Sequence, residues 1–180
     1  MRPALTMRQA VVRFSDRLDA MLLRLATAAL ALLVAVVLLQ VVARYVFFQP
    51  PVWTEEMARY LMIWAGLLGA TLSFKRVFDP AVVQPAGQGV RARLTLLLQS
   101  LAVLVFVGPA LFFSFFGPNL RFSRGYLMRH ARTLSETLDV PTLYVAIAVP
   151  LALAVILVHL LARWCAVPAT ALAEPADVSV

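Results

Sequence analysis

The sequence has 180 residues, of which 62% are hydrophobic and 14% are charged, and its formal net charge is +7. Soluble domains are about 45–50% apolar, so this composition excludes an ordinary soluble domain. The positive charge does not indicate nucleic-acid binding, because that role needs a basic face on a soluble domain. Arginines that flank membrane helices explain it instead. The single cysteine, Cys165, excludes a disulfide framework and a cysteine-rich metal site.

Four uncharged runs predict four transmembrane helices. Residues 25–43, 60–74, 94–120 and 140–162 contain no Asp, Glu, Lys or Arg, and a span needs roughly 20 apolar residues. We therefore predict an all-α integral membrane protein whose spans lie at about residues 21–43, 54–74, 94–116 and 142–164. These spans form one domain over residues 1–168. The Ala-rich residues 169–180 predict a disordered tail.

An amphipathic lead-in helix is predicted before the first span. Residues 1–24 contain five arginines, and apolar residues recur there with helical spacing. This apolar stripe consists of Val11, Phe14, Leu18, Met21 or Leu22, and Leu25. The lead-in either lies on an anionic membrane face or against a partner, or is a cytoplasmic extension of the first span.

The distribution of Lys and Arg predicts cytoplasmic N- and C-termini. Residues 1–24, the Pro- and Gly-broken loop from Lys75 to Arg93, and the end of the fourth span carry more basic residues than the segments on the other side. Residues 121–132 are discordant, because they place four arginines outside. We expect these arginines to pair with Glu136, with Asp139 or with the acidic surface of a partner. The four are Arg121, Arg124, Arg129 and Arg132.

The stretch between Gln40 and Gly69 joins the first two spans and gathers charged and aromatic side chains. Thr54 is predicted to cap the second helix, with two glutamates in its first turn. We predict that Arg44 pairs with Glu55 or Glu56 across the turn and that the other glutamate engages Arg59. Trp53 is expected to anchor this turn at the lipid–water interface.

Two further features complete the predicted partner interface. Gln40 is the only strongly polar side chain in the first uncharged run, and small residues at positions 65, 66, 69 and 70 permit close helix approach. The candidate structural or partner-interface residues are Gln40, Arg44, Tyr45, Trp53, Glu55, Glu56, Arg59, Gly66 and Gly69. Farther along, Thr133-Leu-Ser-Glu136 fits a capping box and predicts a short helix before Pro141.

The sequence lacks the groups that would let the chain catalyse or transport alone. It has no Gly-rich phosphate loop. A haem site needs axial histidines inside the bundle, and only His159 lies in a predicted span. The carboxylates lie in flanks, loops or tails rather than deep in a helix, where a proton-coupled pump would need one. We therefore expect no enzymatic activity, no cofactor and no metal site.

One set of motifs resembles a known family. It reads Gln40-Val-x-x-Arg44-Tyr45-x-Phe47, then Pro51-x-Trp53-Thr54-Glu55-Glu56-x-Ala-Arg59, then Trp64-x-x-x-x-Gly69-Ala70. It resembles the small, DctQ-like membrane subunit of tripartite ATP-independent periplasmic (TRAP) transporters. Val140-Pro141 followed by Tyr144-x-Ala-Ile-x-x-Pro150 is similar to the start of that family's last helix. The family's short His-containing motif is replaced here by Val77-Phe78-Asp79-Pro80.

The resemblance implies an accessory scaffold subunit in the bacterial inner membrane. It would pack beside a large multi-span subunit that holds the substrate and sodium sites, while a periplasmic binding protein delivers an organic acid, often a carboxylate. The residues themselves leave open a stand-alone four-helix membrane protein, either a redox carrier or a small oligomeric transporter. The transported substrate does not follow from the sequence.

Overall fold

The computed structural model describes residues 7–76 and 90–166, and it confirms the all-α fold. These residues form no β-strand, and four of their helical segments are long and apolar enough to cross a membrane. The helices are α1 (Met7–Tyr45), α2 (Trp53–Arg76), α3 (Val90–Phe115), α4 (Tyr126–Ala131), α5 (Leu143–Ala146) and α6 (Ala148–Ala166). The four long helical segments overlap the predicted spans. The membrane boundaries of the spans and the single domain over residues 1–168 stay predictions. The tail after Pro168 lies outside the described residues.

The lead-in and the first span form one continuous helix, α1, of 39 residues. Its length of about 58 Å far exceeds a hydrocarbon core of about 30 Å. Only part of the predicted apolar stripe faces the bundle: Leu22 is buried and Leu18 packs beside it, whereas Phe14 and Leu25 are exposed. The lead-in thus continues the first span and packs on the bundle. This favours an extension of the first span over a separate amphipathic helix that lies on a membrane face or against a partner.

Helix α6 is the centre of the bundle. It contacts α1, α2 and α3, and the span Leu143–Cys165, which α5 and α6 form together, is 44% buried over its apolar window, against 6–17% for the other three spans. The main core cluster joins α1, α2 and α6 and consists of Leu22, Leu68, Leu72 and Val155, with Leu18, Ala26 and Trp64 packed against it. Large apolar side chains cover the outer faces of α1 and α3. These faces are therefore suited to lipid or to a partner subunit.

Polar contacts tie the end of α6 to its neighbours. The indole Nε1 of Trp164 donates to Ser100 Oγ on α3 at 2.9 Å. The Arg163 guanidinium donates to the carbonyl of Phe74 on α2 at 3.1 Å and lies over its ring. The predicted loop from Lys75 to Arg93 is shorter than expected, because α2 continues to Arg76 and α3 begins at Val90. Residues 77–89 lie outside the described residues.

The segment after α3 turns back tightly on itself. A Cβ at Gly117 would lie 2.3 Å from the Arg124 carbonyl oxygen, and one at Gly125 would lie 2.0 Å from that of Phe115. Only glycine permits these approaches between backbone segments. The turn brings α4 back against the end of α3 and directs the following segment toward the α1–α2 connection.

Residues 133–142 form a hairpin, so the predicted capping box is wrong. Ser135 N donates to the Val140 carbonyl at 2.8 Å, and Thr142 N donates to that of Thr133 at 2.9 Å. The Thr133 hydroxyl donates back to Arg129 of α4 instead of capping a new helix. The backbone pairing across the turn satisfies the groups that a helix would otherwise use.

Candidate functional site: the α1–α2 corner and the 133–142 hairpin

The connection between α1 and α2, here called the corner (residues 45–60), is short and rich in exposed aromatic residues. Helix α1 is closed by hydrogen bonds from Val46 N to Val42 O at 2.8 Å and from Gln49 N to Ala43 O at 3.1 Å. Four aromatic side chains project from the corner into the surroundings: Tyr45, Phe47, Phe48 and Trp53. Trp and Tyr favour the lipid–water interface, and the interfacial position of the corner stays a prediction.

Helix α2 begins at Trp53, and Thr54 does not cap it as predicted. Thr54 is fully buried. Its hydroxyl donates to the Pro51 carbonyl at 2.6 Å instead of accepting from a backbone N–H of the first turn. Its backbone N–H donates to the same carbonyl. These two bonds fix the entry of the chain into α2 and so set the direction of the next two glutamates.

Glu56 is the buried carboxylate of the corner, with only 7% of its surface exposed. One oxygen accepts from both the backbone N–H (2.9 Å) and the hydroxyl of Thr137, at the tip of the hairpin. The other accepts from the hydroxyl of Tyr60, one turn along α2. Hydrogen bonds to an ionised group are the strong ones. The contact among Glu56, Tyr60 and Thr137, here called the Glu56 anchor, therefore fastens the hairpin to the corner.

Glu55 and Arg59 form the predicted pair on α2, but Arg44 does not join it. Arg59 Nη2 lies 3.4 Å from Glu55 Oε1, and the side chains are 56% and 72% exposed. Arg44 is exposed, and no described residue forms an ion pair with it. The predicted pairing of Arg44 with Glu55 or Glu56 is thus wrong, because Thr137 and Tyr60 already occupy Glu56 and Arg59 occupies Glu55.

The two glycines of α2 have open space beside them in the described part of the chain. Gly66 and Ala70 are exposed, and a Cβ at Gly66 or Gly69 would meet no atom within 4 Å. Gln40 is half-buried and has no hydrogen-bond partner among the described residues. Gly66 and Gly69 therefore do not serve close helix packing within the described residues and are available to a neighbouring molecule.

A second polar cluster at the opposite end of α2 was not predicted. Ser15 is buried, and its Oγ shares a hydrogen bond of 2.9 Å with Nδ1 of His159 on α6. Lys75 of α2 donates to the Ser15 carbonyl and to Asp16 Oδ1, each at 2.9 Å. The cluster thus links α1, α2 and α6 beside the apolar core.

The sequence contained one signal for this cluster. Ser15 lies in line with Val11, Leu18 and Leu22 on the stripe of α1 that faces the bundle. A polar residue inside an apolar stripe predicts a buried hydrogen bond. Nothing in the sequence indicated its partner His159, which is 144 residues away.

The comparisons with known proteins give one family. Residues 33–167 match the family described as "Tripartite ATP-independent periplasmic transporters, DctQ component". The match covers the corner, the hairpin and all of α2, α3 and α6 up to Ala166. The comparison with curated proteins gave no match. The match extends over most of the chain, so this protein belongs to the DctQ family, the small membrane component of tripartite ATP-independent periplasmic transporters.

Proposed function

We propose that the chain is the scaffold subunit of a TRAP transporter and that it packs against the large membrane subunit through the corner and the outward face of α2. The observation that carries the proposal is the free space at Gly66 and Gly69. Small residues let helix backbones approach closely, and among the described residues no atom lies within 4 Å of a Cβ placed at either glycine. The large subunit would hold the substrate and sodium sites.

Four exposed arginines support contact with a second partner. No described carboxylate forms an ion pair with them, so the expected pairs with Glu136 and Asp139 do not form. They are Arg121, Arg124, Arg129 and Arg132. We propose that they face the periplasm and attract an acidic surface of the binding protein, which delivers an organic acid of the carboxylate class. Exposed charges steer association in a salt-dependent way, so raising ionic strength should weaken capture of the binding protein.

The proposed orientation places both termini in the cytoplasm of a bacterial inner-membrane protein. It rests on the excess of Lys and Arg in residues 1–24 and around Lys75. A reporter that works only in the cytoplasm should be active when fused after Val180, and one that works only in the periplasm should be inactive. The opposite pattern would place the four exposed arginines of residues 121–132 in the cytoplasm, where they could not meet the binding protein.

The decisive experiment is assembly with the large subunit. The Gly66→Leu variant should lose co-purification with that subunit, because the added side chain occupies the contact face, while the isolated chain keeps its helicity. Gly108→Leu is the matched control, since a Cβ at Gly108 on α3 also meets nothing within 4 Å. If Gly66→Leu assembles as well as Gly108→Leu, or if the chain alone transports an organic acid into liposomes, the scaffold proposal is wrong.

A further inference from the structure

The imidazole ring of His159 has one nitrogen that the described chain does not use. His159 lies in α6, and only 3% of its surface is exposed. Its Nδ1 shares a hydrogen bond of 2.9 Å with Ser15 Oγ on α1. Its Nε2 is buried and forms no hydrogen bond within residues 7–76 and 90–166. Leaving a buried polar atom without a partner is costly, so we expect Nε2 to bind something that these residues do not supply.

The bond to Ser15 favours one tautomer of the neutral ring. The Ser15 hydroxyl is buried and has one proton to donate. If it donates to Nδ1, only the Nε2–H group remains without an acceptor. If Nδ1–H instead donates to Ser15 Oγ, both the hydroxyl proton and the Nε2 lone pair remain without partners. The first arrangement leaves fewer buried groups unsatisfied, so Nε2 is a donor that requires an acceptor.

The charged side chains around the ring limit what can accept from Nε2–H. Lys75 lies beside Ser15 and Asp16, but an ammonium group has no acceptor. Asp16 contacts Lys75 at 2.9 Å, and its side chain is 63% exposed. Asp19 follows Ser15 by one turn on the same face of α1. It is half-buried, its Oδ1 is buried, and its charge acts on His159. The Asp19 carboxylate is therefore the acceptor that we expect beside Nε2.

A water molecule can join the ring to this carboxylate. Nε2 does not bond to Asp19 directly, and polar groups beyond direct hydrogen-bond distance are commonly bridged by water. A water accepts one hydrogen bond from Nε2–H and donates another to the carboxylate. Buried waters typically make about three hydrogen bonds, and two to four polar partners suffice to hold one. The ring nitrogen and the carboxylate supply the first two.

We propose that one water molecule is bound between His159 Nε2 and the Asp19 carboxylate and that it links α6 to α1. The proposal does not depend on the scaffold function. The adjoining core cluster of α1, α2 and α6 is apolar, whereas hydrogen bonds require defined distances and angles. The bound water and the Ser15–His159 bond together fix the register of α1 against α6.

The test is solid-state NMR of the full chain in nanodiscs, with isotope-labelled histidine. The chain has only two histidines, and the signals that vanish in His159→Gln are those of His159. Their chemical shifts report which ring nitrogen carries a proton. We expect a protonated Nε2, an unprotonated Nδ1 and magnetisation transfer from water protons to Nε2–H. Because His159 is buried, bulk water does not account for such a transfer.

Two matched variants identify the second partner of the water. Asp19→Leu should lower the transfer from water to Nε2–H about tenfold, because the water loses a hydrogen bond to a charged group. Asp16→Leu makes the same change at the more exposed carboxylate of this turn and should leave the transfer unchanged. A protonated Nδ1 in the wild type, no transfer from water to Nε2, or equal transfer in the two variants would overturn the proposal.

Discussion

The hydroxyl of Thr137 offers the sharpest test of the Glu56 anchor. The Thr137→Val variant keeps the side-chain volume and the backbone N–H that donates to Glu56, but it removes the hydroxyl donor. Hydrogen bonds to charged groups contribute about 1.5–3 kcal/mol. Thr137 is exposed and its amide bond is retained, so we expect a loss of about 1.5 kcal/mol, at the lower end of that range.

This loss should appear as local opening of the hairpin. A free-energy change of about 1.4 kcal/mol is a factor of ten in an equilibrium constant, so amides of residues 135–140 should exchange with deuterium about tenfold faster. Hydrogen–deuterium exchange of the chain in nanodiscs measures this directly. Amides in the middle of α6 should keep the exchange rates of the wild type.

Thr133→Val is the matched control, because the Thr133 hydroxyl only donates to Arg129 in the preceding turn. It makes the same chemical change in the same hairpin without touching Glu56. Glu56→Gln should have a larger effect than Thr137→Val, since it weakens all three bonds of the anchor. Two results would show that the hairpin does not depend on Glu56. One is that the hairpin amides exchange equally fast in Thr137→Val and Thr133→Val, and the other is that Glu56→Gln leaves their exchange rates unchanged.

Three further predictions concern other parts of the chain. Ser15→Ala should lower the free energy of unfolding by about 1 kcal/mol, because it leaves a buried histidine nitrogen unpaired, whereas Thr27→Ala, which loses only a local bond to Leu23, should be nearly neutral in the same detergent unfolding assay. Gly125→Ala should prevent stable folding, seen as loss of monodisperse protein, because its Cβ would lie 2.0 Å from a carbonyl oxygen; normal elution would refute the tight turn. A variant in which the charges of Arg44 and Glu56 are both reversed should lose assembly by the sum of the two single effects. If the double variant instead assembles better than either single variant, the two residues do form the ion pair that the structure lacks.

One contact of the corner could be predicted from the sequence because its signal is local. The i, i+4 spacing of Glu55 and Arg59 placed both on one face of α2, and they do contact each other. The predicted pairing of Arg44 failed for a non-local reason. Sequence spacing could not show that Thr137, 81 residues from Glu56, occupies the carboxylate. The same limit hid the contact between Ser15 and His159.

The sequence by itself determined the all-α membrane class, because long uncharged runs have low free energy only in a bilayer or a buried core. It also determined the resemblance to the DctQ family through motifs around the corner. Only the tertiary structure decided which faces are used within the chain, because burial depends on which helices become neighbours. It placed α6 at the centre, joined the hairpin to Glu56, and left Gly66 on an outward face. Those contacts join residues far apart in sequence, so no local pattern encodes them.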